Sequence, residues 1–323
     1  MNYFAFHLII GACVLAACQG GRSEAAQGIS ADSCALARPE FKPARPAELR
    51  VFAYDTLIPL NLTIEPQATL NDVQRSRISF DSPGGGRATG LMFDPVTRSS
   101  LRPGVVLQHG MPSNAEGIAR EAQLFAEHGA VVIALDAPWA RGTGEALTFT
   151  EQDSAMQVQL MKDLQRAVDV LRSRVNVDRR RLGYSGISYG GAMGAAVVAI
   201  EKRIKAGVLV VGDGGLVSHF TGPEDRDGFI GRLTCAQRVR WLRAMTPIEP
   251  IRFIGLAAPT QLLLQSGEGD QLVPPDDARE LQKAASEPKT VKWYKAGHGL
   301  NAQAVQDRLT WLHEQLRMGG PRP

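Results

Sequence analysis

The chain has 323 residues, of which 44% are hydrophobic and 21% charged, with a formal net charge of +3. That profile excludes a disordered chain and a multi-spanning membrane protein, and it leaves material for one large α/β domain or two small ones. The positive charge is spread along the chain and its densest cluster, Arg179-Arg180-Arg181, sits just ahead of an expected strand, so the pattern carries no nucleic-acid footprint.

Residues 4–17 form an apolar run interrupted only by His7. It falls short of the ~20 residues needed to cross a bilayer and reads as the hydrophobic region of a secretory signal spanning residues 1–17. Its end, Leu15-Ala16-Ala17-Cys18, resembles a bacterial lipoprotein signal, which implies acylation of Cys18 and attachment to a membrane of the cell envelope. An ordinary cleaved signal and a short anchor are the alternatives; the run lacks a preceding Lys or Arg. Export places Cys34 and Cys235 in an oxidising space, where they are candidates for a disulfide or stand as two separate thiols. Residues 18–46 are rich in Gly, Ala, Ser, Arg and Pro and suit a tether, leaving residues 47–323 as the folded domain.

Residues 47–66 carry loosely alternating apolar clusters and are expected to pack as an extended arm. Residues 77–81 and 88–93 flank Ser82-Pro83-Gly84-Gly85-Gly86 as a hairpin. Further strands are expected at 104–108, 130–135, 182–185, 207–211, 260–265 and 291–294, eight in all. They are short and apolar, as in a mostly parallel sheet covered by helices on both faces. Helices fit between them at 114–128, capped by Asn114, and at 151–174, 189–201, 276–285 and 302–317. Residues 212–256 break this rhythm around a short helical piece at 236–245, and serve either as a cap over the site or as cover for a sheet edge.

The chemistry centres on Gly186-Ile187-Ser188-Tyr189-Gly190-Gly191, which follows a short apolar strand and opens an Ala/Gly-rich run. A strand that turns sharply into a helix with serine at its apex needs small residues two positions to either side, and it leaves the hydroxyl over a helix N-terminus. Serine is a weak nucleophile until a base removes its proton. Among the six histidines, His298 in Gly297-His298-Gly299 stands where that base belongs, past the last strand and before the final helix. Asp270, on the Gly-rich loop after the penultimate strand, is the leading orienting carboxylate, with Glu268 and Asp213 as competitors. Charge on a carbonyl oxygen would be met by the backbone N–H groups of Tyr189 and, in the loop Gln108-His109-Gly110-Met111-Pro112, of Met111; His109 is expected to shape that loop. In the loop after residues 130–135, Trp139 and Arg141 either contact substrate or pair internally.

Serine, aspartate and histidine in this order, with these strand ends, resemble the α/β-hydrolase superfamily over about residues 51–317. Within it, Val177-Asp178-Arg179-Arg180-Arg181-Leu182-Gly183 and Tyr189 are similar to the branch of dienelactone-hydrolase-like enzymes, acetyl esterases and prolyl-oligopeptidase-type catalytic domains. Dienelactone hydrolases proper use cysteine where this chain has Ser188, and the residues ahead of the hydrolase region are too few for the propeller of the peptidases. The resemblance therefore implies a serine esterase acting on a small-molecule ester through an acyl-enzyme, with no metal or organic cofactor. A peptidase, amidase or thioesterase on the same residues is the nearest alternative, and a lipid-anchored binding protein without turnover a more distant one.

Overall fold

Alternation within buried strands divides the protein into two apolar layers, one on each face of a single sheet. The computed structural model describes residues 38–97, 101–142, 144–221 and 229–319. The signal region and residues 18–37 of the expected tether, with Cys18 and Cys34, lie outside the described residues. Residues 38–46 are not a tether: Arg38 pairs with Asp277 of the domain, and Ala44 is buried in the core, its N–H donated to the Arg252 carbonyl.

The strands are β1 (Thr63–Leu70), β2 (Val73–Asp81), β3 (Arg87–Pro95), β4 (Arg102–Gln108), β5 (Val131–Leu135), β6 (Val177–Ile187), β7 (Ile204–Val210), β8 (Gln261–Gly267) and β9 (Lys289–Tyr294). They lie in the order β1-β2-β3-β5-β4-β6-β7-β8-β9. The first three pair antiparallel, as does β3 with β5, and every later pairing is parallel. This is the α/β-hydrolase fold, with one strand more than the eight expected. The addition is β1, within and beyond the stretch read as an extended arm. It is exposed along nearly its whole length, so no apolar alternation marks it. Its signal is the turn Asn71-Asp72, where φ values of 50° and 59° join Leu70 to Val73 in a two-residue hairpin.

Side chains of β4 and β5 point alternately to the two layers. Val106, Ile133 and Leu135 join one core, together with α2 (Glu151–Ser173) and α3 (Tyr189–Ile200), and Val105, Leu107, Val132 and Ala134 join the other. That second core includes α1 (Ala119–Glu127) and the carboxyl-terminal helix (Ala302–Leu316). The helix α3 is buried on all sides, because it is built of Gly, Ala, Val and Met and runs directly beneath the site.

The segment 212–256 contains α4 (Leu216–Phe220), α5 (Cys235–Met245) and several single turns of 3-10 helix. Thr234 and Gln237 form a capping box at the start of α5, and Trp241 of that helix donates its indole N–H to buried Asp153 of α2 at 2.8 Å. Cys235 is disulfide-bonded. After β8 come α6 (Pro275–Ala284) and, following β9, α7 (Ala302–Leu316), whose cap Asn301 accepts from the Ala304 N–H. No helix among the described residues is long and apolar enough to cross a membrane.

Candidate active site

The elbow at Ser188 follows from crowding between backbone segments. A Cβ on Gly186 would stand 2.1 Å from the Gly190 carbonyl oxygen, and one on Gly190 would stand 2.2 Å from the Gln108 carbonyl oxygen. Neither distance is attainable, so β6 can pass into α3 at this angle only with glycine at both positions. Between them Ser188 adopts φ 56° and ψ −118°, a strained conformation for a residue with a side chain. The Tyr184 hydroxyl donates to the Gly190 carbonyl at 2.6 Å and ties the turn from below.

Three side chains from separate strand ends meet above this elbow. The Ser188 hydroxyl lies 2.9 Å from His298 Nε2. The other ring nitrogen of His298, Nδ1, donates to Asp270, at 2.8 Å from Oδ2 and 3.1 Å from Oδ1. Asp270 is buried, and its Oδ1 accepts the N–H groups of Leu272 and Val273 at 2.9 Å each, so the carboxylate is held by its own loop. The competitor Asp213 faces a different histidine: its Oδ2 is 2.8 Å from Nδ1 of His219, and its Oδ1 accepts the Gly215 N–H. Two histidines, each bonded to an aspartate, thus border one cavity.

On the other side of Ser188, His109 anchors the loop after β4. Its Nε2 accepts the Ala137 N–H at 3.0 Å, which leaves the proton on Nδ1 to bond the Gly110 carbonyl at 2.8 Å. Burial lowers the imidazole pKa and so favours this neutral form. Gly110 follows, close enough that an added Cβ would stand 3.2 Å from that of Ser188. Met111 comes next and borders the cavity, and Tyr189, as the first residue of α3, has an N–H with no carbonyl one turn earlier in the helix.

The cavity at Ser188 and His298 has a volume of about 520 Å³. Met111, Leu147, Phe149, Met193, Phe220 and Phe229 make it mainly apolar, and Asp213, Gly215, Leu216 and His219 bring residues of the 212–256 segment into its wall. Trp139 and Arg141, offered from sequence as substrate contacts, are not brought to it. Arg141 turns inward, donating to the Asp136 carbonyl and, at 2.6 Å, to the fully buried carboxylate of Asp163. Trp139 is buried edge-on against Tyr189, with ring centroids 4.9 Å apart. Both support the site from behind.

Two features had no sequence signal. Glu249 is completely buried, accepts the N–H groups of Val217 and Ser218, and thereby pins the start of α4. Burial, with nearby Asp213 adding to it, pushes its carboxyl up to about 8 despite those bonds. Phe149 enters the cavity from a loop whose composition predicts no contact. Among the described residues there is no group of three His, Cys, Asp or Glu side chains that could hold a metal ion.

Residues 117–319 match the model of the prolyl oligopeptidase family, peptidase family S9. The chain belongs to this family. It is, accordingly, a serine hydrolase by descent. Solved structures of similar fold include acetyl xylan esterase 1 from Thermoanaerobacterium sp. JW/SL YS485, with 16% identity, a TM-score of 0.71, and coverage of 88% of this chain and 98% of that one. The acetyl xylan esterase from Paenibacillus sp. R4 matches at 18% identity and TM-score 0.70, over 89% of this chain and 100% of that one. The acylaminoacyl peptidase of Pyrococcus horikoshii matches at 17% identity and TM-score 0.60 over 79% of this chain, but over only 43% of its own length. No curated relative matches the sequence.

Proposed function

We propose that this member of the family is a carboxylic ester hydrolase that works through an acyl-enzyme on Ser188. The observation that carries the reading is the unbroken relay from the Ser188 hydroxyl to His298 at 2.9 Å and from His298 to Asp270 at 2.8 Å. His298 takes the hydroxyl proton as Ser188 Oγ attacks the ester carbonyl, and Asp270 holds the ring and stabilises the imidazolium. The carbonyl oxygen, now an anion, is met by the N–H groups of Tyr189 and Met111. As the intermediate collapses, the C–O bond to the alcohol breaks and His298 returns its proton to the departing oxygen. Water then enters, is deprotonated by His298 and attacks the acyl carbon, releasing the acid and restoring the Ser188 hydroxyl.

Preference for esters over amides draws support from the two acetyl xylan esterases, whose lengths the fold covers almost completely, whereas the peptidase neighbour carries much more chain. The family itself favours the second reading, a single-domain peptidase or amidase. Short p-nitrophenyl esters assayed beside aminoacyl p-nitroanilides separate the two: ester turnover that vanishes in Ser188→Ala, together with fluorophosphonate labelling that vanishes with it, is expected. Faster anilide turnover overturns the ester assignment, and an unlabelled, inactive wild-type protein points to a binding role.

We further propose that residues 1–17 direct export and that Cys18 carries lipid, placing the hydrolase on a cell-envelope membrane. A disulfide at Cys235 fits that oxidising setting, with Cys34 as its proposed partner. Cys18→Ser should release the protein from membranes, and non-reducing peptide mapping should recover residues 34 and 235 in one cross-linked fragment.

A further inference from the structure

Arg38, from the segment expected to be a tether, reaches across the protein to the wall of the cavity at Ser188. Its Nη2 donates to the Ser218 carbonyl at 2.6 Å and its Nε to the Thr221 carbonyl at 3.1 Å, both at the carboxyl end of α4. The same guanidinium pairs with two carboxylates of α6, Asp277 at 2.9 Å and Glu280 at 2.8 Å. One side chain, from a position far earlier in the chain, ties the two helices together.

The two carbonyls it holds bracket His219 and Phe220, and both of those residues line the cavity. His219 is bonded there to Asp213, and Phe220 lies edge-on to Phe149 at 5.2 Å between ring centroids, with Phe149 in turn 5.3 Å from buried Trp241. A helix of five residues such as α4 has too few backbone bonds to fix its own place, so its position is set from outside. Glu249 fixes the start through the Val217 and Ser218 N–H groups, and Arg38 fixes the end.

The rest of the arm is fastened to the same region. The Ala44 N–H donates to the Arg252 carbonyl at 2.7 Å, and Arg252 donates Nε–H to the Lys42 carbonyl at 3.1 Å and pairs with Glu48 at 2.7 Å. Ile251 beside it donates its N–H to the Gly214 carbonyl, just ahead of α4. Residues 38–48 therefore grip both the segment that carries Glu249 and the far end of α4. Arginine suits the second grip, because a planar fork serves carbonyls on one helix and carboxylates on another at once, which a single ammonium does not. Resting on the esterase reading above, we infer that Arg38 is a positioning residue for substrate binding: with the arm as its brace, it holds His219 and Phe220 where a substrate large enough to reach α4 meets them. Hydrolysis of an ester too small to reach that wall does not depend on it, because Arg38 bonds none of Ser188, His298 and Asp270.

The test compares p-nitrophenyl butyrate, extended on both sides of the ester, with methyl acetate, which reaches Ser188 without filling the cavity and is followed by acid release. Arg38→Ala should raise KM for p-nitrophenyl butyrate about tenfold, the order that a pocket contact supplies, with kcat within about twofold of wild type. Its kcat/KM for methyl acetate should stay within about twofold. Arg38→Lys, which keeps a positive charge beside buried Asp277 for folding, should raise KM by a smaller factor, about threefold. Equal losses on the two esters, or an unchanged KM for p-nitrophenyl butyrate in Arg38→Ala, or in Arg38→Lys where the alanine variant does not fold, overturns the inference while Ser188-dependent turnover keeps the esterase reading intact. Absence of Ser188-dependent hydrolysis of either ester in the wild-type protein overturns that reading and the role of Arg38 in substrate binding with it.

Discussion

Nε2 of His109 accepts the backbone N–H of Ala137 at 3.0 Å, joining the loop after β4 to the loop after β5. The bond requires a neutral ring and leaves it no free nitrogen, since Nδ1 is spent on Gly110. In the proposed reaction His109 is a positioning residue, acting through the loop that carries Met111 and through Trp139, which packs on Tyr189. His109→Ala should lower kcat by about 10- to 100-fold, somewhat less than deletion of an oxyanion donor, with KM changed little. The pH profile should keep its shape, because burial lowers the pKa of this ring and it exchanges no proton with substrate in the proposed reaction. Steady-state kinetics across pH checks all three.

Asp270 meets His298 Nδ1 and two N–H groups of its own loop, so Asn at this position can keep the loop bonds while favouring the wrong imidazole tautomer. Asp270→Asn should cut kcat by about 10⁴-fold with the fold intact. Comparison of p-nitrophenyl ester turnover with the thermal unfolding curve separates lost chemistry from lost structure.

Arg141 and Asp163 form an ion pair in which the carboxylate is fully buried. Arg141→Ala strands that charge, and the expected loss is about 3–5 kcal/mol of stability, read from denaturant unfolding. Because Arg141 does not border the cavity at Ser188, KM should stay within about twofold of wild type in whatever fraction remains folded. A large KM rise with unchanged stability would restore a role in substrate binding.

Glu249 gives stability a dependence on pH. Its carboxyl lies at about 8 in the fold against 4.5 ordinarily. Between those values the folded chain keeps a proton that the unfolded chain releases, so this contribution is complete below pH 4.5 and is lost as pH rises through 8. Gln at this position is permanently neutral, and its one amide oxygen can keep the shorter of the two α4 bonds, from the Ser218 N–H, while losing the other at every pH. Glu249→Gln should therefore narrow the difference in unfolding free energy between pH 5 and pH 8, measured by denaturant titration at both.

The sequence told most where backbone and chemistry constrain each other. Gly186, Ser188 and Gly190 read as an elbow because no side chain fits at either glycine, and His298 read as the partner because it sits on a glycine-flanked loop at the right strand end. Strand β1 escaped notice because an edge strand with both faces wet shows no alternation; only Asn71-Asp72 betrays the hairpin. For Arg141 the residue types allowed either direction, and the choice was made by Asp163, a buried carboxylate hidden within a helix. Phe149 and Glu249 act through long-range contacts with α4 and α5, in a segment whose irregular backbone gives no period from which burial can be inferred.

The outermost strands also bear on how copies of this chain meet one another. Pro66, in the middle of β1, has no N–H to offer, and the ladder shifts register between it and Ala68. At the opposite margin β9 is short and carries two charged residues, Lys289, bonded to the Gln282 and Ala285 carbonyls, and Lys292, paired with Asp307. Neither border is a good template for stitching a second sheet onto the first, which guards against fibrous association.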